Sequence, residues 1–397
     1  MQVLVFNAGS SSLKFDLLET SSGAARPLAA GAFVDAADGS GRFMLRSAGA
    51  PAAPVKTLAE AAAFVLEWLS NPSIHGRDLL AGVAATAHRI VHGGERFRAT
   101  TALNEPELEA LAALSSLAPL HNPPALSVIA SVRRRLGPAV PVIGVFDTAY
   151  YADLPEAASH YAVPRRWRDE FGVRRYGFHG IAHRYLCQSV RTRLQASRAT
   201  ARIVSLQLGR GCSVTATLGE RAIATSMGFT PLEGLVMGTR SGDVDPGALL
   251  YMMERTALSP ADMRRELNEE SGLLGLSGQT ADMRELLALE KGGDPAAALA
   301  LDVFCRRARH YVAAYLAELG GVDVIVFGGG IGENCPDIRR RIVDHLQWAG
   351  IELRPEANAA SVGIESSIAS PASRAAIEVI PVDEAIVIAG EAAALLH

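Results

Sequence analysis

One arginine, Arg240, stands between Gly238-Thr239 and Ser241-Gly242-Asp243 in the stretch Thr225 to Pro246, TSMGFTPLEGLVMGTRSGDVDP. Gly and Asp permit sharp turns and close backbone approach, so such a loop can aim a guanidinium at an anion. Two other turns suit phosphate oxygens. Asn7-Ala8-Gly9-Ser10-Ser11-Ser12, with Lys14 just beyond, offers backbone N–H groups, hydroxyls and a cation, and Gly209-Arg210-Gly211-Cys212-Ser213 offers a similar set with an arginine added. An ordinary hairpin turn uses the same residue types, so neither turn decides anything alone.

Further candidates fall where strands end. His88-Arg89-Ile90-Val91-His92-Gly93-Gly94-Glu95 closes one apolar run, which would project Arg89 toward the crevice where α/β sheets bind ligands. Phe146-Asp147-Thr148 closes another with a carboxylate, and Glu384 opens the final helix. Mg²⁺ prefers one or two carboxylates plus substrate phosphates, which makes Asp147 and Glu384 candidates to hold the metal of a nucleotide. A negative charge favouring a helix N-terminus accounts for Asp383 and Glu384 equally well, and the sequence does not choose. His88/His92 and His179/His183 are each four apart, as in zinc sites, but neither pair has a third ligand spaced with it. Gly328-Gly329-Gly330-Ile331-Gly332-Glu333-Asn334 departs from the GxGxxG dinucleotide fingerprint and suits an adenosine lying flat against backbone.

These residues need a frame. Residues 3–19 and 203–219 each read as a strand, a small-residue turn and a second strand. Laid together at an offset of 200 they need no gap, Gly9 meeting Gly209 and Leu18 meeting Leu218, which suggests an internal repeat. Between them the spacing predicts helices at 57–70, 105–117 (capped by Asn104) and 124–136, strands at 82–92 and 141–147, and edge strands at 31–34 and 42–46. The span 151–167 looks like a passage into a second domain. Beyond it helices are expected at 180–197, 246–256, 259–269, 280–290 and 295–319, then a buried strand and glycine turn at 321–334, and a final apolar helix after Asp383. Alternation of this kind predicts a mostly parallel sheet with helices on its faces.

At 397 residues the chain exceeds one hydrophobic core, and two domains of roughly 200 residues are expected. A net charge of −4 gives no general basic surface, which argues against nucleic acid or anionic membrane as the main partner. The N-terminus lacks the pattern of a secretory signal, so the protein reads as cytoplasmic. Cys187, Cys212, Cys305 and Cys335 are far apart and form no CxxC, so no disulfide framework or thiolate metal site is indicated.

Taken together, NAGSSSLKF at 7–15, HRIVHGGE at 88–95, PLHNPP at 119–124, FDTAY at 146–150, YGFHG at 176–180, the Thr225–Pro246 stretch, GGIGEN at 329–334 and Asp383-Glu384 resemble, in order and over nearly the whole length, the acetate kinase branch of the acetate and propionate kinase family. The resemblance implies a duplicated actin-like, ribonuclease H-like α/β fold of two domains with a central cleft. The first domain would be residues 1–150, completed by the C-terminal helix 385–397, and the second, nucleotide-binding domain residues 151–384. It also implies a homodimer, and phosphoryl transfer between ATP and a short-chain carboxylate with Mg²⁺ (or Mn²⁺), giving ADP and an acyl phosphate.

By the same resemblance Arg89 and Arg240 flank the moving phosphoryl group and the substrate carboxylate, and His179 donates to phosphoryl oxygens. Asn7, Asp147 and Glu384 stand on the metal side. Lys14, Gln207, Gly209, Arg210, Gly211, Asp282, Arg284, Gly330, Ile331 and Asn334 belong to the nucleotide site, and Val91, Leu120, Phe178 and Pro231 surround the acyl methyl. A carboxylate is already ionised at pH 7, so this chemistry needs no general base; it needs cations that bring two anions together. Val91, where a smaller residue would leave room for another carbon, favours acetate over propionate, a preference of about 1–3 kcal/mol per methylene.

Some positions depart from the family pattern. Gln207 and Arg210 stand where the second phosphate turn usually has histidine and asparagine, Tyr151 where it often has histidine, Ile181-Ala182 replace a hydroxyl pair, and Ala385 replaces a glutamate. These departures touch the phosphoryl donor more than the reaction class.

Overall fold

The computed structural model describes residues 1–9, 12–21, 24–34, 42–45, 55–191, 193 and 200–396. The chain divides into two compact units, Met1–Ala152 with Asp383–His397, and Asp153–Val382. Ser10 and Ser11 of the first small-residue turn, residue 46 of an expected edge strand, and residues 192 and 194–197 of the helix expected at 180–197 lie outside the described residues.

In the first unit β1 (Gln2–Ala8), β2 (Ser12–Ser21), β3 (Ala24–Val34), β4 (Arg42–Leu45), β5 (Val83–Ile90), β6 (Thr101–Ala102) and β7 (Val142–Phe146) form one sheet in the order β4-β3-β2-β1-β5-β7-β6. β1 and β2, and β2 and β3, which lie close in sequence, pair antiparallel, whereas β1, β5 and β7 run parallel through helical crossovers. Side chains alternate along β1. Leu4, Phe6 and Ala8 join the core formed with Val65 and Leu66 of helix Leu58–Leu69 and Val128 and Ile129 of helix Asn122–Leu136. Val3 and Val5 point to the other face and are equally buried, and the helix Glu384–Leu396 packs on β1, β2, β5 and β7.

The second unit repeats the pattern. β8 (Arg202–Leu208), β9 (Cys212–Leu218), β10 (Arg221–Thr225), β11 (Val324–Gly328), β12 (Ser366–Ser367) and β13 (Ala376–Val379) are ordered β10-β9-β8-β11-β13-β12. β8 pairs antiparallel with β9 and parallel with β11, as β1 does with β2 and β5. The offset of 200 holds residue for residue where it was read, β1 and β8 starting at Gln2 and Arg202 and β2 and β9 at Ser12 and Cys212. Helix Gly180–Arg191 packs on β8 and β11, and the helix Pro295–Glu318, capped by Asp294, packs on β8 and β9.

Two expectations need correction. The sheets are mixed rather than mostly parallel, because each begins with hairpin-linked strands that turn back directly. β3 is longer than 31–34 and lies inside β4 rather than at the edge. The helix expected at 105–117 is regular over Glu105–Ala113, with Asn104 accepting from the Glu107 N–H, and ends in a tighter turn over Leu114–Ser116.

A buried guanidinium fixes the segment after β11. Arg339 is fully buried and donates to the carbonyls of Gly332, Glu333, Asn358 and Ser361 and to Asn358 Oδ1, at 2.6–3.1 Å. Burial pulls it down to about 10, so it is still charged at neutral pH. These neutral oxygens balance its desolvation and hold the C-terminal carbonyls of the turn Gly329–Asn334. Truncation in Arg339→Ala strands several buried acceptors at once, and a loss of about 3–5 kcal/mol is expected in denaturant unfolding; a loss below about 1 kcal/mol, the worth of one ordinary hydrogen bond, would show that the clamp is dispensable.

Candidate active site

The strand ends gather the first unit's polar groups. Asn7, Arg89 and Asp147 lie at or next to the carboxyl ends of the adjacent parallel strands β1, β5 and β7, the positions from which side chains of an α/β sheet reach a ligand. Glu384 joins them from the first turn of the last helix. The Arg89 Nε donates to both oxygens of Asp147 at 3.2 Å and Nη2 donates to Oδ2 at 2.7 Å. Its Nη1 donates to Asn7 Oδ1 at 3.1 Å and lies 3.6 Å from Glu384 Oε2, which accepts from Asn7 Nδ2 at 2.7 Å. Asp147 is wholly buried. Burial works against the Arg89 charge, but the Asp147 and Glu384 charges outweigh it and hold the guanidinium above its usual range. Two carboxylates share one guanidinium, so the cluster carries a net charge of −1.

The structure also separates Asp383 from Glu384: the Asp383 carboxylate accepts from the Ala385 N–H and caps the helix, while Glu384 enters the cluster. Lys14, on β2, is exposed and in register opposite Asn7. Val91 is buried and Leu120 is 43% exposed. His88 stacks on Phe6 and bonds Thr86 Oγ1, and the His92 Nδ1 accepts from the Gly94 N–H.

The second unit's polar groups carry the opposite balance. Arg240 donates to the Pro231 carbonyl at 2.8 Å, and among the described residues no carboxylate pairs with it. Burial pulls its guanidinium below the usual arginine range, as does the charge of Arg210; Cys212 would offset this only as a thiolate, and burial pushes that thiol up to about 12. The loop that presents Arg240 is tied down on several sides. Thr239 Oγ1 donates to the Asn268 carbonyl, and the N–H groups of Ser271, Leu273 and Leu274 donate to the carbonyls of Thr239, Met237 and Gly238. Gly242 adopts a φ of +67°, and a Cβ there would stand 2.4 Å from the Leu235 carbonyl oxygen, so glycine is required. Glu233 is gripped by Arg175 and Tyr161, and Arg175 also donates to the carbonyls of Thr225, Ser226 and Met227.

His179 follows the fully buried Phe178 and holds a left-handed φ of +57°, uncommon for a residue with a Cβ. Its Nδ1 lies 2.9 Å from Ser213 Oγ, which lies 2.8 Å from His183 Nε2, and the His183 Nδ1 lies 2.7 Å from Ser205 Oγ. Burial pushes His183 down to about 3, so it is neutral at physiological pH. Ser205 Oγ also lies 3.5 Å from the Thr215 carbonyl oxygen. Ser213 Oγ thus bridges the two imidazoles, within hydrogen-bond distance of both. A Cβ built on Gly211 would lie 3.2 Å from His179 Nε2 and 3.5 Å from Arg240 Nη1, so glycine leaves open a spot faced by both groups.

The sequence did not expose Ser205, Ser213 and His183 as supports of His179. The signal was present in the alternation of Ser213, Thr215 and Thr217 along β9, a polar line that is fully buried.

The remaining candidates surround the same strand ends. Gln207 pairs in register with Gly328, and its side-chain Oε1 is buried with no hydrogen-bond partner among the described residues. The Gly209 N–H donates to the Gly211 carbonyl, and the carbonyl of Arg210, an exposed residue, accepts from the Gly238 N–H. Gly330 is exposed with open space where a Cβ would lie, Ile331 is half-buried, and the Asn334 Nδ2 donates to the Gly330 carbonyl. Asp282 caps the helix Met283–Lys291 and pairs with Arg284 at 2.8 Å on the surface, both acting electrostatically on Cys335. Pro231 is half-buried.

Comparison with known proteins decides the family. A profile of the acetokinase family matches residues 2–390. The chain belongs to the acetokinase family. Among curated relatives in that family, an acetate kinase of Solibacter usitatus is 43% identical over 98% of this chain and 97% of its own length, and one of Phocaeicola vulgatus is 40% identical over the whole of both. Among solved structures, an acetate kinase of Porphyromonas gingivalis superposes over 100% of both chains with a TM-score of 0.88 at 35% identity. A propionate kinase of Francisella tularensis does so over 98% of both with a TM-score of 0.89 at 34% identity. The two mixed sheets are accordingly the duplicated actin-like fold that the acetokinase family resemblance implied.

If the Ser213 hydroxyl orients His179, Ser213→Ala lowers kcat by about 10- to 100-fold, the range a slightly misplaced group costs, while the KM for nucleotide changes little. A change confined to KM, with kcat and its pH profile preserved, would show that Ser213 is merely structural.

Proposed function

We propose that this acetokinase family member is an acetate kinase, transferring the terminal phosphoryl group of ATP to acetate with release of ADP, and the reverse. The observation that carries the reading is the uncompensated charge of Arg240 beside His179, a set built to receive an anion that the protein itself does not supply. Relatives at 40–43% identity over nearly the full chain are acetate kinases, which supports the same assignment.

An acetate oxygen attacks the terminal phosphorus, an O–P bond forms, and the bond from that phosphorus to the bridging oxygen breaks, its electron pair leaving on ADP. No proton moves, since acetate is already ionised. Arg240, and Arg89 with it, neutralise the charge spread over the equatorial oxygens, and His179 carrying a proton on Nε2 donates to one of them. Asn7 Oδ1, Asp147 and Glu384 are hard oxygen donors already converging on one cation, the Arg89 guanidinium, and they fit a divalent ion held by one or two carboxylates plus substrate phosphates. When bound there, Mg²⁺ would neutralise charge on the nucleotide phosphates. Lys14, Gln207, Gly209, Arg210 and Gly211 hold phosphates. Gly330, Ile331 and Asn334, with Asp282 and Arg284, hold the adenosine. Val91, Leu120, Phe178 and Pro231 receive the methyl group.

The test is acyl phosphate formation with acetate, propionate and butyrate, each with ATP, GTP and pyrophosphate. Acetate with ATP should be the best pair, and no acetyl phosphate from any donor would overturn the reading. Arg240→Ala should cost about 10²- to 10³-fold in kcat, as removal of one transition-state donor does. In the same assay Val91→Ala should raise the propionate-to-acetate ratio of kcat/KM by about tenfold, the worth of one methylene.

The proposal includes a cytoplasmic homodimer. Helix Pro246–Thr256 buries none of its side chains, and Leu250 and Tyr251 are 62% and 56% exposed, an apolar face that a second copy of the chain would cover. Light scattering should return the mass of two chains, and a single-chain mass at micromolar concentration would remove this part.

A further inference from the structure

Resting on the metal-side reading of Asn7, Asp147 and Glu384, we infer that the Arg89 guanidinium is the resident cation of those oxygens in the ligand-free enzyme. A divalent ion gains them only as Arg89 leaves for an anion. Arg89 thus couples metal binding to substrate binding.

The geometry leaves little room for both cations. Each Asp147 oxygen already lies within 3.2 Å of an Arg89 nitrogen, and the carboxylate is wholly buried, so no solvent-facing side remains for direct ligation. The Asn7 amide is committed too, its oxygen to Arg89 and its nitrogen to Glu384, and a metal needs that oxygen rather than the nitrogen. Charge agrees with geometry. Asp147 and Glu384 bring two negative charges and Arg89 one positive, so a divalent ion in place of the guanidinium neutralises the cluster, whereas both together would crowd like charges. The freed guanidinium then needs a new anion, and a phosphoryl oxygen or carboxylate matches its planar fork. Since each ligand favours the state with Arg89 moved, metal and anion must strengthen each other's binding by the same factor.

The full-length, nucleotide-free protein serves for the test. Mn²⁺ binding is measured by electron paramagnetic resonance with and without inorganic phosphate, with free ion corrected for complexation. In the wild type, phosphate should tighten Mn²⁺ binding by about 5- to 150-fold, the usual span of coupling between sites. In Arg89→Met, checked for folding by circular dichroism, Mn²⁺ should bind tightly without phosphate and the gain from phosphate should vanish.

The Nε–H resonance of Arg89 in ¹⁵N-arginine-labelled protein, assigned by its loss in Arg89→Met, separates displacement from simple charge repulsion. Mg²⁺ should shift it from its Asp147-bonded position. A bound ion with that resonance unmoved, or a phosphate gain that survives in Arg89→Met, overturns the inference. Equal Mn²⁺ affinity in wild type and Glu384→Gln instead overturns the metal-side reading on which it rests.

Discussion

A guanidinium drawn away from water without a carboxylate at its side is the constraint around which the second unit is built. Arg240 is part-buried, has only a carbonyl as its hydrogen-bond partner among the described residues, and feels the like charge of Arg210. Such a charge is unfavourable until an anion arrives, and the loop's network of backbone bonds keeps it from relaxing into solvent or onto a distant carboxylate. The first unit holds the complementary imbalance, two carboxylates on one guanidinium. One unit is short of a cation and the other of an anion. The proposed reaction, between a metal nucleotide and a carboxylate, would supply both.

Duplication explains why both sets fall in equivalent places. Each unit opens with a hairpin and then adds parallel strands beside its first strand, so the carboxyl ends of β1, β5 and β7, and of β8 and β11, come side by side. The same geometry is then used for different tasks. In the first unit it assembles Asn7, Arg89 and Asp147, whereas in the second it sets Gln207 against Gly328 and leaves the glycine turn open at Gly330. The support differs as well: a carboxylate orients Arg89, while hydroxyls and a neutral histidine orient His179.

The sequence carried the hairpins, the repeat offset, most helices and the principal charged residues, because periodicity and turn chemistry are local signals. It did not carry which partner each charged group takes. Arg89 read as a residue aimed at an anionic substrate, yet its partners in the fold are Asp147, Asn7 and Glu384, between 58 and 295 positions away in the chain for Asp147 and Glu384 respectively. The choice between Asp383 and Glu384 likewise turned on helix phase, one residue capping the backbone and the next projecting to Asn7. The hairpins were legible, but their weight in each sheet was not, which is why the sheets are mixed where a mostly parallel sheet was expected. Alternation of strand and helix signals parallel crossovers along the chain, whereas strands close in sequence at the head of each repeat pair antiparallel.

Gln207 and Arg210 sharpen what selects the phosphoryl donor. Arg210 is exposed and adds positive charge near Arg240, so it strengthens attraction for any polyphosphate and discriminates little among them. The Gln207 side-chain oxygen is buried with no hydrogen-bond partner among the described residues; turned over, the same amide offers N–H donors to a phosphate oxygen without adding charge. On the proposed assignment, selection between ATP and a donor lacking adenosine falls to the open backbone at Gly330, where a Cβ would meet nothing, and to the Asn334 amide. With that assignment, the proposed role of the departures in the second phosphate turn is to set how tightly phosphates are held, and that of the turn beyond β11 is to set the identity of the donor.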